Sequence, residues 1–447
     1  MADLIAWAER FIATPSESRL GNAAIARLAS QLLGELGLPA RIETAEVGGT
    51  LHHAVVCDVG PDADAGGLLL VTHLDTVPPG AFGAWTATGG DPFRPTREAD
   101  RLYGLGSADA KVDFVCKALA LASIDRSRLR RPVRLVGTFG EEIGLIGARW
   151  LIDAGLARGY REALVGEPSE LAVIRAHKGY AVFEASVALE RLDYCEALTA
   201  TQRTVTGVAA HSSAPALGRN AILAALSELE SAGVLGIFAL DGGTAVNVVP
   251  GRCEIGLASK GASDACKEPI FATAPLRSFA AAWRHFEASL GARRDPDFDP
   301  DRTVASLGRA WLEGDRARFR FDVRPIPGED PELLVEPLRD AAAITSVRAN
   351  PPLSTSRDAK LVRAALDAQR SVGLEAGLAT KATCTEAGLL SRAGLEAIVL
   401  GPGPSVGNVH KPNEHTSVAQ LHRAVELYRA LLVRLACLVC SGRPTCS

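Results

Sequence analysis

Seven residues have side chains suited to metal-assisted or acid–base chemistry: His73, Asp75, Asp109, the adjacent pair Glu141 and Glu142, Glu167 and His410. Neutral imidazoles and carboxylates together form the donor set that zinc, cobalt or manganese accepts, with no cysteine required. Two such ions about 3.5–4 Å apart need one shared carboxylate and roughly two further ligands each. Seven residues exceed that requirement and leave groups for proton transfer and for orienting a ligand. The competing readings are ordinary ones: a histidine capping a strand, or acids enriched in the first turn of a helix. Spacing alone cannot choose between them, because Glu167 and His410 lie far apart in the chain.

Their position in the elements does more. Residues 67–80, GLLLVTHLDTVPPG, form an apolar run ending in His73 and Asp75. It is too short for a helix and too apolar for a one-sided strand, which is how a parallel strand buried on both faces reads. A second such strand, VRLVGTF, ends in Gly140, Glu141 and Glu142, and a third, Ala163 to Val165, ends in Gly166 and Glu167. Ligands bind outside the carboxyl ends of strands in open α/β sheets, so this repeated pattern places chemistry at one sheet edge. Asp109 precedes a helix starting near Lys111, and His410 follows a Gly/Pro loop after a strand at Glu396–Leu400.

From about Lys178 the texture changes to alternating strands and short helices. The expected architecture is α/β: a catalytic domain from 1–178 and 353–447, with a mixed, mainly parallel sheet flanked by helices, and an inserted α+β domain from 179–352. Helices are expected at the amino terminus, beginning in HSSAPALGRNAILAALSELE, over DPELLVEPLRDAAA and from Val418 to Leu435. The segment KGASDACKEPIFATAPLRSFAAAWRHFEASL has no assigned place.

A chain of 447 residues with 47% apolar content supports two cores. A formal charge of −4 and no long Lys/Arg run argue against nucleic acid or an anionic membrane as partner. The amino terminus lacks the pattern of a secretory signal, and no apolar run is long enough to span a bilayer. Nine scattered cysteines point to a reducing cytoplasm rather than a disulfide framework. Cys437, Cys440 and Cys446 lack a fourth ligand and read as ordinary thiols. GLGSAD lacks the Gly-Lys-Ser/Thr ending of a phosphate loop.

The stretches HLDTVPPG, RLYGLGSADAK, GEEIGLIGA, GEPSELAVIRAHKGY, HSSAPALGRNAI, FDVRPIPG, CTEAGLL and VLGPGPSVGNVHKPNEH occur in this order. In them the chain resembles the metal-dependent deacylases that include the acetylornithine deacetylases and succinyl-diaminopimelate desuccinylases. The resemblance is greatest to the acetylornithine deacetylases, through FIATPS, YGLGSAD, GEPSELAVIRAHKG, HSS and CTEA. It implies a cytoplasmic homodimer holding two divalent ions, zinc or cobalt with manganese as a third candidate. The implied reaction removes an acyl group from the α-nitrogen of an amino acid, foremost acetate from N-acetylornithine, with acetylcitrulline, acetyl-lysine, succinyl-diaminopimelate or a dipeptide as alternatives. A non-catalytic assembly protein on the same scaffold is disfavoured by the complete residue set.

Residue by residue, the resemblance gives one metal to His73, Asp109 and Glu167 and the second to Asp109, Glu142 and His410. Glu141 becomes the general base, and Asp75 orients His73. His211 matches a histidine that reaches the oxyanion from the inserted domain, usually that of the other subunit. Arg324 matches the clamp on the substrate α-carboxylate, with Lys178 and Asn247 in the same pocket and Glu386 facing a cationic side chain. The chain departs from the family at Asp109, Ala110, Lys111 and Val112, where Asp-Met-Lys-Gly is common, and in the long segment between GGTAVNVVP and FDVRP.

Overall fold

The computed structural model describes residues 3–62, 66–192, 198–231, 233–260 and 269–437. It divides into one unit of Met1–Ala176, Leu353–Thr380 and Thr385–Ser447, and a second of His177–Pro352 and Lys381–Cys384. The second unit thus takes a short piece, 381–384, that the sequence reading left in the first. The reason is hydrogen bonding: Lys178 N–H donates to the Lys381 carbonyl at 3.1 Å, and Asn350 Nδ2 lies 3.7 Å from Cys384 Sγ.

The first unit is built on a nine-stranded mixed sheet. From one edge it runs Arg41–Val47, Thr50–Val59, Val133–Thr138, Gly67–His73, Tyr160–Gly166, Glu396–Val399, with Val173–His177 and Leu353–Ser354 beyond, and the ninth strand, Leu378–Lys381, pairs with Val173–His177. The four central strands are parallel, whereas Arg41–Val47 pairs antiparallel with Thr50–Val59, Thr50–Val59 with Val133–Thr138, and Glu396–Val399 with Val173–His177. Gly67–His73 is buried at every position. Leu68 and Leu70 face a core shared with helices Leu4–Ile12, Ala23–Glu35, Lys111–Ala122, Lys360–Ser371 and Val418–Ala436. Leu69 and Val71 face the opposite core, with Leu151, Ala387 and Leu390 from helices Ile146–Asp153 and Glu386–Arg392. Strand side chains alternate between faces, so a sheet covered on both sides demands an unbroken apolar run. Each such leucine contributes roughly 1.5–3 kcal/mol by burial.

The second unit carries an eight-stranded sheet whose strand pairs are antiparallel. Helices Ala221–Glu228 and Ala274–Ser289 contribute to one core, Leu226, Phe279, Trp283 and Phe286 packing with Phe183, Ile255, Phe319 and Phe321. Charged residues alternate with the aromatics: Arg318 and Arg320 pair with Glu184. This is the one-sided pattern that antiparallel sheets permit.

The segment without an assigned place therefore becomes a core element from Ala274 to Ser289; residues 261–268 of it, like Cys440 and Cys446, lie outside the described residues. Two expected helices are shorter than their apolar patterns suggest. HSSAPALGRNAILAALSELE is helical only over Ala221–Glu228, capped by Asn220, because Pro215 and Gly218 occupy a preceding turn. DPELLVEPLRDAAA gives Pro331–Leu334 and then a tight turn at Glu336–Leu338, since Pro337 removes a helical donor.

Candidate dinuclear metal centre

Three adjacent parallel strands deliver the site. In register, His73 lies opposite Thr138, and Thr72 lies opposite Gly166. The residues that follow, Glu141 and Glu142 after one strand and Glu167 after the other, therefore emerge at the end where His73 points. Gly140 turns the chain with φ of 61°, and a Cβ there would approach Ile146 to 2.3 Å, so glycine is required immediately before the paired acids. Asp109 enters from the loop before Lys111–Ala122, and His410 from the loop after Glu396–Val399. His410 has φ of 58°, a backbone conformation that few non-glycine residues adopt and that is concentrated at functional sites.

The side chains converge around Asp109. Its Oδ1 lies 3.0 Å from His73 Nε2, and its Oδ2 lies 3.2 Å from His410 Nε2. His73 Nε2 is also 3.7 Å from Glu167 Oε1, and His410 Nε2 is 3.0 Å from Glu142 Oε2. Two groups with ligand atoms within 4.8 Å of one another result: His73, Glu141 and Glu167, and Asp109, Glu142 and His410. Glu141 thus stands beside His73 and Glu167 as close as a ligand would, whereas the sequence reading keeps it as a base.

Asp75 lies behind His73. The His73 Nδ1 contacts the Asp75 carbonyl at 3.1 Å and its carboxylate at 3.7 Å. That carboxylate also accepts from the backbone N–H groups of Glu141 at 3.2 Å and Glu142 at 3.4 Å, and from Ser18 Oγ. One buried acid therefore orients the histidine and pins the loop bearing both glutamates. Glu414 does the same for the other side: Oε1 accepts from the N–H groups of Gly106, Ala108 and Asp109 at 3.0, 3.0 and 3.1 Å. Residue-level reading did not single out Glu414, and its only sequence signal is its place in the NEH that follows His410.

The electrostatics fit a cation. Asp75, Asp109, Glu141, Glu142, Glu167 and Glu414 surround two imidazoles, an excess of carboxylates with little water around most of them. Burial and the neighbouring Glu167 carboxylate push Glu141 well above the usual range, and burial with Asp109 pushes Glu142 up to about 7. Burial opposes ionisation of Asp109, yet hydrogen bonds to His410 and His73 hold its carboxyl below the ordinary value. His410 is raised to about 11 by its bonds to Asp109 and Glu142, which outweigh its burial. Protonated imidazoles here do what a divalent ion would do better, since only an unprotonated nitrogen can ligate.

The remaining predicted residues divide. His211, Asn247, Arg324 and Lys178 belong to the second unit. His211 is exposed, and its Nδ1 accepts from the Ser213 N–H at 3.2 Å, which puts the proton of the neutral ring on Nε2. Arg324 is 4% exposed, and Asn247 is exposed just before Val248–Val249. Lys178 is buried, with Nζ donating to the Arg302 carbonyl at 2.6 Å. Glu386 is likewise 0% exposed, in the first unit, and burial raises it to about 7.

A model of peptidase family M20/M25/M40 matches residues 69–434. A protein named acetylornithine deacetylase from Myxococcus xanthus is 29% identical over 406 residues, covering 86% of this chain and 83% of the relative. One of the same name from Yersinia pseudotuberculosis serotype O:1b is 36% identical over 222 residues, 47% of this chain and half the relative's length. Among solved structures, aminoacylhistidine dipeptidase from Vibrio alginolyticus has a TM-score of 0.69 at 17% identity, with 98% of this chain and 97% of the other covered.

Proposed function

The chain belongs to peptidase family M20/M25/M40, and from that premise we propose that it is a two-metal hydrolase releasing an acyl group from the α-nitrogen of an amino acid, with N-acetylornithine as the first candidate substrate. The observation that carries this reading is Asp109, whose two oxygens face His73 and His410 separately, as a carboxylate shared between two ions must. The relatives named acetylornithine deacetylase support the choice of substrate and a place in arginine biosynthesis.

In this proposal His73, Asp109 and Glu167 hold one ion and Asp109, Glu142 and His410 the other, with zinc or cobalt as first candidates and manganese third. Such ions supply Lewis acidity toward the amide carbonyl and lower the pKa of water. Glu141 takes a proton from the attacking water on its carboxylate and delivers it to the leaving nitrogen. Asp75 keeps His73 oriented. His211 donates from Nε2 to the developing oxyanion, and Arg324 clamps the α-carboxylate. The second unit takes the part of lid and dimerisation domain in a cytoplasmic homodimer.

A second reading, the same chemistry on another acylated amino acid or a dipeptide, is favoured by the stretch 274–303, whose Arg302 carbonyl captures Lys178. Acetate release from N-acetylornithine, and turnover of a panel extending to acetylcitrulline, acetyl-lysine, succinyl-diaminopimelate and dipeptides, tests both. Glu141→Ala is expected to lower kcat by roughly 10²–10⁴-fold with bound metal retained. A metal-loaded wild type inactive on the whole panel sinks the hydrolase assignment.

A further inference from the structure

The second unit contains a closed polar triangle that the proposed chemistry does not itself require. Ser212 Oγ donates to Asp322 Oδ2, Arg324 Nε donates to the same oxygen at 3.0 Å, and Arg324 Nη2 donates to Ser212 Oγ at 3.1 Å. Ser212 and Asp322 are fully buried, and the Arg324 guanidinium carbon stands 3.9 Å from the centre of the Tyr180 ring. The backbone of Ser212 makes a further link: its N–H donates to the Asn247 carbonyl at 3.0 Å. Next to it, Ala210–His211 pairs with Val248–Val249, His211 lying opposite Val248.

We infer that Ser212 is a positioning residue that sets Arg324, Asn247 and His211 in one fixed arrangement, and so determines a preference for ligands bearing a free α-carboxylate. The argument is geometric. Nε and one hydrogen of Nη2 of Arg324 are engaged by Asp322 and Ser212, which leaves the outer edge, Nη1 with the second Nη2 hydrogen, to meet an anion. The aromatic face of Tyr180 fixes the plane of the guanidinium, and the hydrogen-bonded triangle fixes its rotation in that plane. An arginine so held loses little freedom when it engages a carboxylate. The hydroxyl that restrains it belongs to the residue after His211, so displacement of one group displaces the other. This inference rests on the reading of Arg324 as a carboxylate clamp.

The test is calorimetric binding to the metal-loaded full chain of N-methylsulfonyl-ornithine, whose sulfonamide resists hydrolysis, and of its α-carboxamide. Wild type is expected to prefer the carboxylate by at least about tenfold, the worth of one charge-assisted hydrogen bond. Ser212→Ala loses that preference while its thermal midpoint still reports a folded chain, and Ser212→Thr, which keeps the hydroxyl, retains it. A preference unchanged in Ser212→Ala, lost equally in Ser212→Thr, or absent from wild type overturns the inference. Acetate release measured in parallel separates the two readings: a wild type that discriminates carboxylates but turns over no acyl-amino acid loses the hydrolase assignment and keeps Ser212 in its role.

Discussion

At the scale of single residues, the candidate centre is a set of oriented acids more than a list of donors. Asp75 and Glu414 each gather several partners, and each restrains the loop that carries a different donor. Removing such supporting groups typically costs 10–100-fold in metal affinity or activity, which places them close to the ligands in importance. Away from the centre, His177 offers a clean titration. Burial lowers its imidazole to about 4, and Nδ1 lies 2.9 Å from the Lys178 carbonyl. A base with a depressed folded pKa binds fewer protons in the native state, so its stabilisation is complete above the unfolded value near 6.5 and is lost as pH falls toward 4. The loss is of order 3 kcal/mol. Urea unfolding between pH 7 and 4 should show a drop in wild type that is flattened in His177→Gln; parallel profiles would contradict it.

At the scale of elements, the strand ends are held by what packs beneath them. Asp113 and Lys117, one turn apart on the Lys111–Ala122 helix, form an ion pair of 2.9 Å with no exposure to water. Lys117 Nζ also donates to the Val71 carbonyl at 2.7 Å and to Thr72 Oγ1 at 2.9 Å, while the Tyr428 hydroxyl stands within hydrogen-bond reach of both Asp113 and the Leu400 carbonyl, its one hydrogen serving either acceptor. This network anchors the helix against the strand one residue before His73. It works only because Gly166 has no side chain: a Cβ there would fall 1.9 Å from Asp113 Oδ2 and 2.6 Å from Lys117 Nζ. Gly166→Ala is expected to destabilise by at least about 1–3 kcal/mol, the usual cost of overpacking. By contrast Gly34→Ala, on the Ala23–Glu35 helix with nothing near its added methyl, should stabilise by about 0.4–1 kcal/mol. Equal urea midpoints for the two variants would refute the steric argument.

At the scale of the whole molecule, both candidate metal groups fall within the first unit, so cation binding is expected to stabilise that unit. Carboxylates crowded out of water repel, and an ion that binds only the folded state adds about 2.7 kcal/mol at a hundredfold excess over its dissociation constant. Calorimetric scans should show a transition that moves down on chelation and returns with zinc or cobalt. A thermogram indifferent to chelator and added ion would remove the metal from the account. No described helix is long and apolar enough to cross a membrane.

The sequence by itself determined the strand exits. The apolar runs before His73, Glu141 and Glu167 were legible because a doubly covered parallel strand leaves no room for polar residues, and the ordered motifs pointed to the family. It also carried Asp109 and His410, though only through those motifs, since loops have no periodicity to read. Tertiary structure decided the rest. Only folding brings Glu414 beneath the Asp109 loop, joins Ser212 to Arg324 and Asp322, and gives Lys178 the Arg302 carbonyl. The physical reason is common to all three: a polar side chain is defined by its partners, and these partners lie on distant segments that chain order does not pair. Apolar periodicity is written locally, whereas hydrogen-bond satisfaction is settled when the layers close.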